Sequence, residues 1–231
     1  MILLITGTRK GIGKELAYHF LAQGHQVIGC SRGEGSIEAP GYQHFSLDIA
    51  DSLAVRRMLK QIRLDHGRLD VLVNNAAQAS MAPFLLTPDD TARELFASNV
   101  LGLINVTREA VKLMQKTPGP GVVVMLSTVA TTWAIPGQSV YAASKAAVEQ
   151  LTRTLSKELY AFEVRINTLA LPLFRSSMTR TLPQEIKQKM IERQAIARPC
   201  VLADVIGPLE FLISEQSAFV TGETLSLGGV Q

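Results

Sequence analysis

The sequence predicts an α/β fold, with a doubly wound, mostly parallel sheet of about seven strands and helices on both faces. Near the start, the apolar run Ile2–Ile5 leads into a glycine-rich turn, and a helical pattern follows from about Ile12 to Gln23. Further apolar runs of strand length, such as Val122–Leu126 and 164–170, recur between helical patterns. Strands that alternate with helices are typical of α/β domains. The 231 residues show no sign of a second domain, so we expect a single domain over residues 1–231.

The turn after the first strand carries three glycines in the spacing G-x-x-x-G-x-G: Gly7, Gly11 and Gly13. Such a turn lets the backbone approach a pyrophosphate closely, and the helix that starts there supplies N–H donors and a favourable dipole. The pattern therefore predicts a Rossmann-type dinucleotide site that includes these glycines and Ile12.

Three cations are expected near that turn. The second strand is predicted at Gln26–Ser31, and Arg32 follows it, with Arg9 and Lys10 in the turn opposite. An acidic residue after this strand would favour the 2′-hydroxyl of NAD, whereas cations suit a 2′-phosphate. The sequence thus favours NADPH, the alternative being that Arg9 and Lys10 are merely solvated.

The rest of the chain continues the alternation. Strands are expected at 43–47, 70–73 and 222–227, a long helical region from Asp89 to about Lys116, and a last helix at 204–213. Asp51 can cap the helix after the third strand. The apolar positions of that helix have the spacing of one buried face: Val55, Met58, Leu59 and Ile62.

Tyr141 and Lys145 are the most informative pair. Four residues apart on a helix, they lie on the same face. A free phenol titrates near ~10, and a nearby cation pulls that pKa toward neutrality. The tyrosine could then exchange a proton with a carbonyl or an alcohol. Ser127 and Thr128 end the strand Val122–Leu126, where open α/β sheets bind ligands. By itself, the pair could equally be a surface tyrosine and lysine.

Together these motifs resemble the short-chain dehydrogenase/reductase family, and most closely its carbonyl reductases similar to 3-oxoacyl-carrier-protein reductase. The resemblance extends from Ile2 to Gly229, and further matches follow in the family's order: Asp48, Asn74, Asn75, Ala76, Asn99 and Asn167. It implies an enzyme that interconverts a ketone and a secondary alcohol with NADPH, as a homodimer or homotetramer.

The resemblance also implies roles for single residues. Tyr141 is the proton donor in reduction, while Lys145 lowers its pKa and holds the nicotinamide ribose. Thr128 polarises the carbonyl, or Ser127 does so if the following loop is shifted by one residue. Asn99 interrupts its helix and holds a water that links the lysine to solvent, unless it is simply a packed helical asparagine. The remaining cofactor contacts implied are Asp48 (on adenine, or else only a turn residue), Ile49, Asn75, Ala76 and Phe174 (against the carboxamide).

Several stretches depart from the family. Residues 33–41 are glycine-rich and end in Pro-Gly, which predicts a loop in place of a crossover helix. Thr128 replaces the family's serine, Ala77 a glycine, and Leu171-Pro172 the usual Pro-Gly. Residues 175–198 are the expected substrate cover, with a helix at Pro183–Arg193. The loop Gln78–Thr87, after the fourth strand, has four apolar residues that could line the active site or simply pack: Met81, Phe84, Leu85 and Leu86. These departures leave two substrate classes open: a 3-oxoacyl thioester, carrier-bound or not, and the ketone of a tailoring reductase.

A second function is an NADPH-binding sensor or scaffold without turnover, which would not need Tyr141 and Lys145. Composition narrows the partners. A net charge of +3 and 47% hydrophobic residues give no signal for nucleic acid or membrane. Cys30 and Cys200 are expected to be reduced, and the four histidines lack metal-ligand spacing, so no metal is predicted. No leader pattern precedes the first strand, so we expect a cytoplasmic protein.

Overall fold

The computed structural model describes residues 1–116, 118–174 and 184–229. Within them, one sheet has seven strands in the order β3-β2-β1-β4-β5-β6-β7. Every adjacent pair is parallel, so the predicted doubly wound sheet is confirmed. The strands are β1 (Ile2–Thr6), β2 (Gln26–Ser31), β3 (Tyr42–Ser46), β4 (Val71–Asn74), β5 (Gly121–Thr128), β6 (Val164–Leu171) and β7 (Thr224–Ser226).

Helices cover both faces of this sheet. They are α1 (Gly11–Ala22), α2 (Ser52–His66), α3 (Asp89–Phe96), α4 (Leu103–Met114), α5 (Ala130–Trp133), α6 (Ser139–Leu159), α7 (Gln184–Glu192) and α8 (Leu202–Ile213). The helical region predicted from Asp89 is real, but a π-helical stretch, Ala97–Gly102, divides it into α3 and α4. Short 3-10 helices lie at Phe84–Leu86, Tyr160–Phe162 and Glu215–Ser217. Of the predicted substrate cover, residues 175–183 lie outside the described residues.

The core forms two layers because successive side chains of a buried strand point to opposite faces. Leu3 and Ile5 of β1 pack with α1 and α8, whereas Leu4 packs with α2 and α4. The four positions predicted as the buried face of α2 are all buried. Asp51 caps this helix as predicted, since its carboxylate accepts from the backbone N–H groups of Leu53 and Ala54.

Residues 33–41 form no helix, as predicted, and are held by hydrogen bonds to the glycine turn. Lys14 Nζ donates to the Ser36 carbonyl at 3.0 Å, and Ser36 Oγ donates to the Arg9 carbonyl at 2.8 Å. The Tyr42 hydroxyl, just after this loop, lies 2.8 Å from Thr8 Oγ1. The loop therefore connects edge strand β3 directly to the turn that follows β1.

Two features are absent from the described residues. None of the helices there is both long and apolar enough to span a bilayer. The same residues contain no group of three or more histidine, cysteine and acidic side chains that could hold a metal ion.

Candidate active site

A cavity of about 540 Å³ lies at the carboxyl ends of the central strands. Almost all of the predicted site residues line it: Gly7, Arg9, Lys10, Gly11, Ile12, Arg32, Asp48, Ile49, Asn75, Ala76, Ser127, Thr128, Tyr141, Lys145 and Phe174. Gly13 and Asn99 are the two predicted residues that lie behind its wall. The cavity therefore joins the predicted dinucleotide site to the predicted catalytic pair.

The glycine turn needs glycine for two different physical reasons. Gly7 and Gly11 have φ values of +77° and +63°, in the left-handed region that side chains disfavour. At Gly13 the restriction is space, since a Cβ there would lie 2.4 Å from Asn75 Nδ2 and 2.5 Å from the Gly7 carbonyl oxygen. Asn75 Nδ2 fixes this packing by donating to the Thr6 carbonyl at 2.7 Å. The turn thus brings the N-terminus of α1 to the cavity wall, where it can meet an anion.

The adenosine end of the cavity is cationic. Arg9, Lys10 and Arg32 line it and are exposed. The Arg9 guanidinium lies across Gly33, because a Cβ on that glycine would be 2.6 Å from Nη1.

The Gly33 carbonyl beside Arg32 is held by three neighbours on β2 and β3. Ser31 Oγ donates to it at 2.9 Å and Ser46 Oγ at 3.2 Å, and His44 Nε2 lies at 3.1 Å. The chain is therefore fixed where it leaves β2, so Arg32 projects from an anchored backbone.

Asp48 has the turn role considered for it and also lines the cavity. Its Oδ1 accepts from the Ala50 backbone N–H at 2.9 Å, which is the turn role. It also lines the cavity, next to Ile49, so its carboxylate is available to a bound adenine.

At the catalytic end, the Thr128 side chain is close enough to the Tyr141 phenol to lower its pKa. Burial raises the pKa of Tyr141 to about 12, and the Thr128 contact lowers it only in part. Burial thus outweighs the Thr128 contact among the protein's own groups. The shift toward neutrality that Lys145 and a bound nicotinamide would cause together stays a prediction.

Lys145 is buried, with 4% of its surface exposed. Its Nζ donates to the Leu126 carbonyl at 2.8 Å. Burial lowers the pKa of Lys145 to about 8, and the negative charge of Glu149 acts in the opposite direction. The lysine therefore holds its proton at neutral pH and loses it at mildly alkaline pH.

The two hydroxyls at the end of β5 have different partners. Ser127 Oγ donates to Glu149 Oε1 at 2.6 Å, while Thr128 contacts Tyr141. Adjacent residues of a strand point to opposite sides, so only one hydroxyl can face the tyrosine. The geometry favours Thr128, the residue reached by counting back along the family pattern.

Asn99 lies in the π-helical stretch, so the helix interruption implied by the resemblance is confirmed. Its Oδ1 accepts from the Gln78 N–H at 2.8 Å, and its Nδ2 donates to the Gln78 carbonyl at 2.9 Å and to Ser144 Oγ at 3.0 Å. Ser144 in turn donates to the Tyr141 carbonyl at 2.7 Å. Asn99 therefore ties the loop after β4 to the helix that carries the tyrosine.

Sequence reasoning missed part of the cavity wall. Gln138 and Leu173 line it and their positions in the sequence gave no signal, whereas Met190 comes from the predicted substrate cover, residues 175–198. Of the four apolar residues that could line the site or pack, only Met81 lines the cavity. The other three are 69–92% exposed: Phe84, Leu85 and Leu86.

Comparison with known proteins decides the family. The family model described as "Enoyl-(Acyl carrier protein) reductase" matches residues 7–229. The chain belongs to the short-chain dehydrogenase/reductase family. The 3-oxoacyl-(acyl-carrier-protein) reductase MabA of Mycobacterium bovis is 30% identical over 227 residues, covering 98% of this chain and 91% of that protein. Carbonyl reductase (NADPH) 2 of Sus scrofa is 29% identical over 229 residues, covering 96% and 92%.

A solved member of the same fold agrees with this assignment. A 4-hydroxyisoleucine dehydrogenase complexed with NADH superimposes with a TM-score of 0.88 at 25% identity, covering 99% of this chain and 97% of that one. As a short-chain dehydrogenase/reductase, the protein belongs to an oxidoreductase family that uses nicotinamide cofactors.

Proposed function

We propose that this short-chain dehydrogenase/reductase interconverts a ketone and a secondary alcohol with NADPH. The observation that carries the proposal is the Tyr141–Thr128 hydroxyl contact beside buried Lys145, at one end of a cavity whose other end is cationic. The cavity wall suits a dinucleotide. The glycine turn leaves the N-terminus of α1 open toward the cavity, and the close packing at Gly13 holds the turn in that position.

The chemistry follows from the protonation states of the two groups. When bound, the nicotinamide supplies or accepts the hydride. Tyr141, with its pKa raised to about 12, keeps its proton across the neutral range and can donate it to a carbonyl oxygen. Thr128 offers that oxygen a hydrogen bond, and the Lys145 cation stabilises the phenolate left behind. Below the Lys145 pKa of about 8, both groups therefore carry the protons that carbonyl reduction requires.

The cofactor preference rests on this chain's own residues. Arg9, Lys10 and Arg32 can each make a charge-assisted contact to a 2′-phosphate. The pig relative carries NADPH in its name, while the solved dehydrogenase holds NADH. Relatives therefore use both cofactors, and the three cations are what favour NADPH here.

The substrate end supports an apolar carbonyl compound. The cavity that Tyr141 lines has four apolar wall residues, Met81, Leu171, Leu173 and Met190, and the polar Gln138. This wall suits the acyl chain of a 3-oxoacyl thioester, free or carrier-bound, and also an uncharged ketone. We further propose that the enzyme is a cytoplasmic homodimer or homotetramer. Phe96 and Leu101, which are 39% and 57% exposed, offer apolar surface for a second copy.

Steady-state assays of the purified protein would test this proposal. A panel of ketones and 3-oxoacyl thioesters is offered with NADPH or NADH, and loss of the reduced cofactor is followed. We expect turnover with NADPH on at least one carbonyl, and its collapse in Tyr141→Phe, which keeps the ring but lacks the proton. Tight NADPH binding without turnover on any carbonyl would instead indicate a sensor or scaffold.

A further inference from the structure

We propose that Glu149 is a positioning residue that holds the end of β5 and keeps Lys145 protonated through its negative charge. The inference rests on the proposed function for its catalytic meaning. Its structural part rests on the two hydrogen bonds of Glu149 and on its place one helical turn from Lys145.

Glu149 occupies the position one helical turn after Lys145 on α6, so both side chains lie on the same face. It is half-buried, and its Oε1 accepts from two hydroxyls: Ser127 Oγ at 2.6 Å and Thr131 Oγ1 at 2.9 Å. Hydrogen bonds to an ionised acceptor are stronger than neutral ones. The carboxylate is therefore held in one place, between the end of β5 and helix α5.

The segment that Glu149 anchors carries both partners of the catalytic pair. Ser127 stands between Leu126, whose carbonyl accepts from Lys145 Nζ at 2.8 Å, and Thr128, whose hydroxyl contacts Tyr141. A shift of Ser127 would move both neighbours along the strand. Glu149 thus adds a side-chain anchor to a strand end that pairing with β6 already holds, at the residue between the lysine's acceptor and the tyrosine's partner.

The charge of Glu149 has a separate effect, which is to raise the pKa of Lys145. Among the described residues, no carboxylate forms an ion pair with this buried lysine. Across the described residues, Glu149 is the charged group whose field acts on this lysine, opposing the effect of burial. Tyr141, on the same helix, is uncharged at neutral pH, because burial raises its pKa to about 12. The β5 groups nearby are a carbonyl and two hydroxyls.

Charged residues on the other elements packed against α6 are not among the groups that shift the Lys145 pKa. The charged side chains of α3 are all exposed to solvent: Asp89, Asp90, Arg93 and Glu94. Arg165, at the start of β6, donates to the carbonyls of Ser214 and Val220 at the opposite end of that strand from the site. Glu149 is therefore the side chain to change.

Two substitutions separate the charge from the anchoring. Glu149→Gln removes the charge but keeps an oxygen that can accept from both hydroxyls. Glu149→Asp keeps the charge on a shorter side chain. Glu158→Gln is the matched control, because it removes a carboxylate from an exposed position of the same helix.

The first measurement is an NMR titration of lysine 13Cε signals in the intact protein, with Lys145 assigned by its loss in Lys145→Met. We expect Glu149→Gln to lower the Lys145 pKa by roughly one unit, as loss of a nearby opposite charge does. Glu149→Asp should restore most of it, and Glu158→Gln should leave it in place. The second measurement is the pH profile of kcat, whose alkaline limb should move down with the Lys145 pKa while KM changes little.

A Lys145 pKa unchanged in Glu149→Gln would overturn the inference, even if turnover falls. Equal shifts in Glu149→Gln and Glu158→Gln would do so as well, because the effect would then be a general charge effect. If the wild type reduces no carbonyl, the proposed function fails, yet the NMR titration still decides the role of Glu149.

Discussion

Removing the Thr128 hydroxyl tests which side chain acts on the substrate oxygen. Thr128→Val keeps the branched shape and the methyl group but replaces the hydroxyl that contacts Tyr141 with a second methyl group. Two effects follow in reduction: the carbonyl loses a hydrogen-bond donor, and the partly buried phenol loses a partner.

The magnitude follows from the first effect. Loss of one stabilising donor at a reacting oxygen costs about 10²–10³ in kcat, or roughly 2.7–4 kcal/mol. The unpaired phenol costs about 1–3 kcal/mol in addition where it has no other partner, but a bound substrate oxygen takes that place during turnover. We therefore expect kcat to fall about 10²–10³-fold, with KM changed much less.

Two matched variants complete this test. Thr128→Ser keeps the hydroxyl and should retain most of the activity. Ser127→Ala should be milder than Thr128→Val, because Ser127 contacts Glu149 and not Tyr141. The assay is steady-state kinetics with saturating NADPH on the best carbonyl of the panel. A crippled Ser127→Ala beside a mild Thr128→Val would refute the assignment.

Three further predictions follow from the structure. Arg32→Asp should raise the Kd for NADPH far more than that for NADH, by fluorescence titration; an equal change in both would contradict a 2′-phosphate contact. Gly13→Ala should lower the Tm and weaken cofactor binding, since its Cβ would lie 2.4 Å from Asn75 Nδ2, and overpacking costs about 1–3 kcal/mol. Gly207→Ala is its control, because nothing lies within 4 Å of that Cβ, and its helix should gain up to about 1 kcal/mol. Carbonyl reduction should weaken as pH rises through the Lys145 pKa of about 8, since the cation is present below that pH and lost above it; a rate that stays flat well above it would argue against the lysine.

Local chemistry made much of the fold predictable. The glycine turn, the buried face of α2 and the Asp51 cap depend on neighbouring residues, and all three were predicted correctly. The Pro-Gly at the end of residues 33–41 also indicated a loop. Strand and helix ends differ from prediction by one or two residues, because end positions depend on tertiary packing.

The candidate site was less predictable where it depends on burial. The sequence places Lys145 near Tyr141 but does not show that both are removed from water, and this burial raises the pKa of the tyrosine. Counting left Ser127 and Thr128 as alternatives, and the side of β5 on which each lies separates them. Glu149 was missed although its spacing from Lys145 is the one that identified Tyr141.

The loop of residues 33–41 has a thermodynamic consequence. Its contacts run to the glycine turn through Ser36 and, just after the loop, through Tyr42. Any ligand that binds the folded turn stabilises the native state by mass action. Edge strand β3 is tied to that turn. Part of the free energy of cofactor binding therefore stabilises β3 against local unfolding, and this edge of the sheet should be more stable when the cofactor is bound.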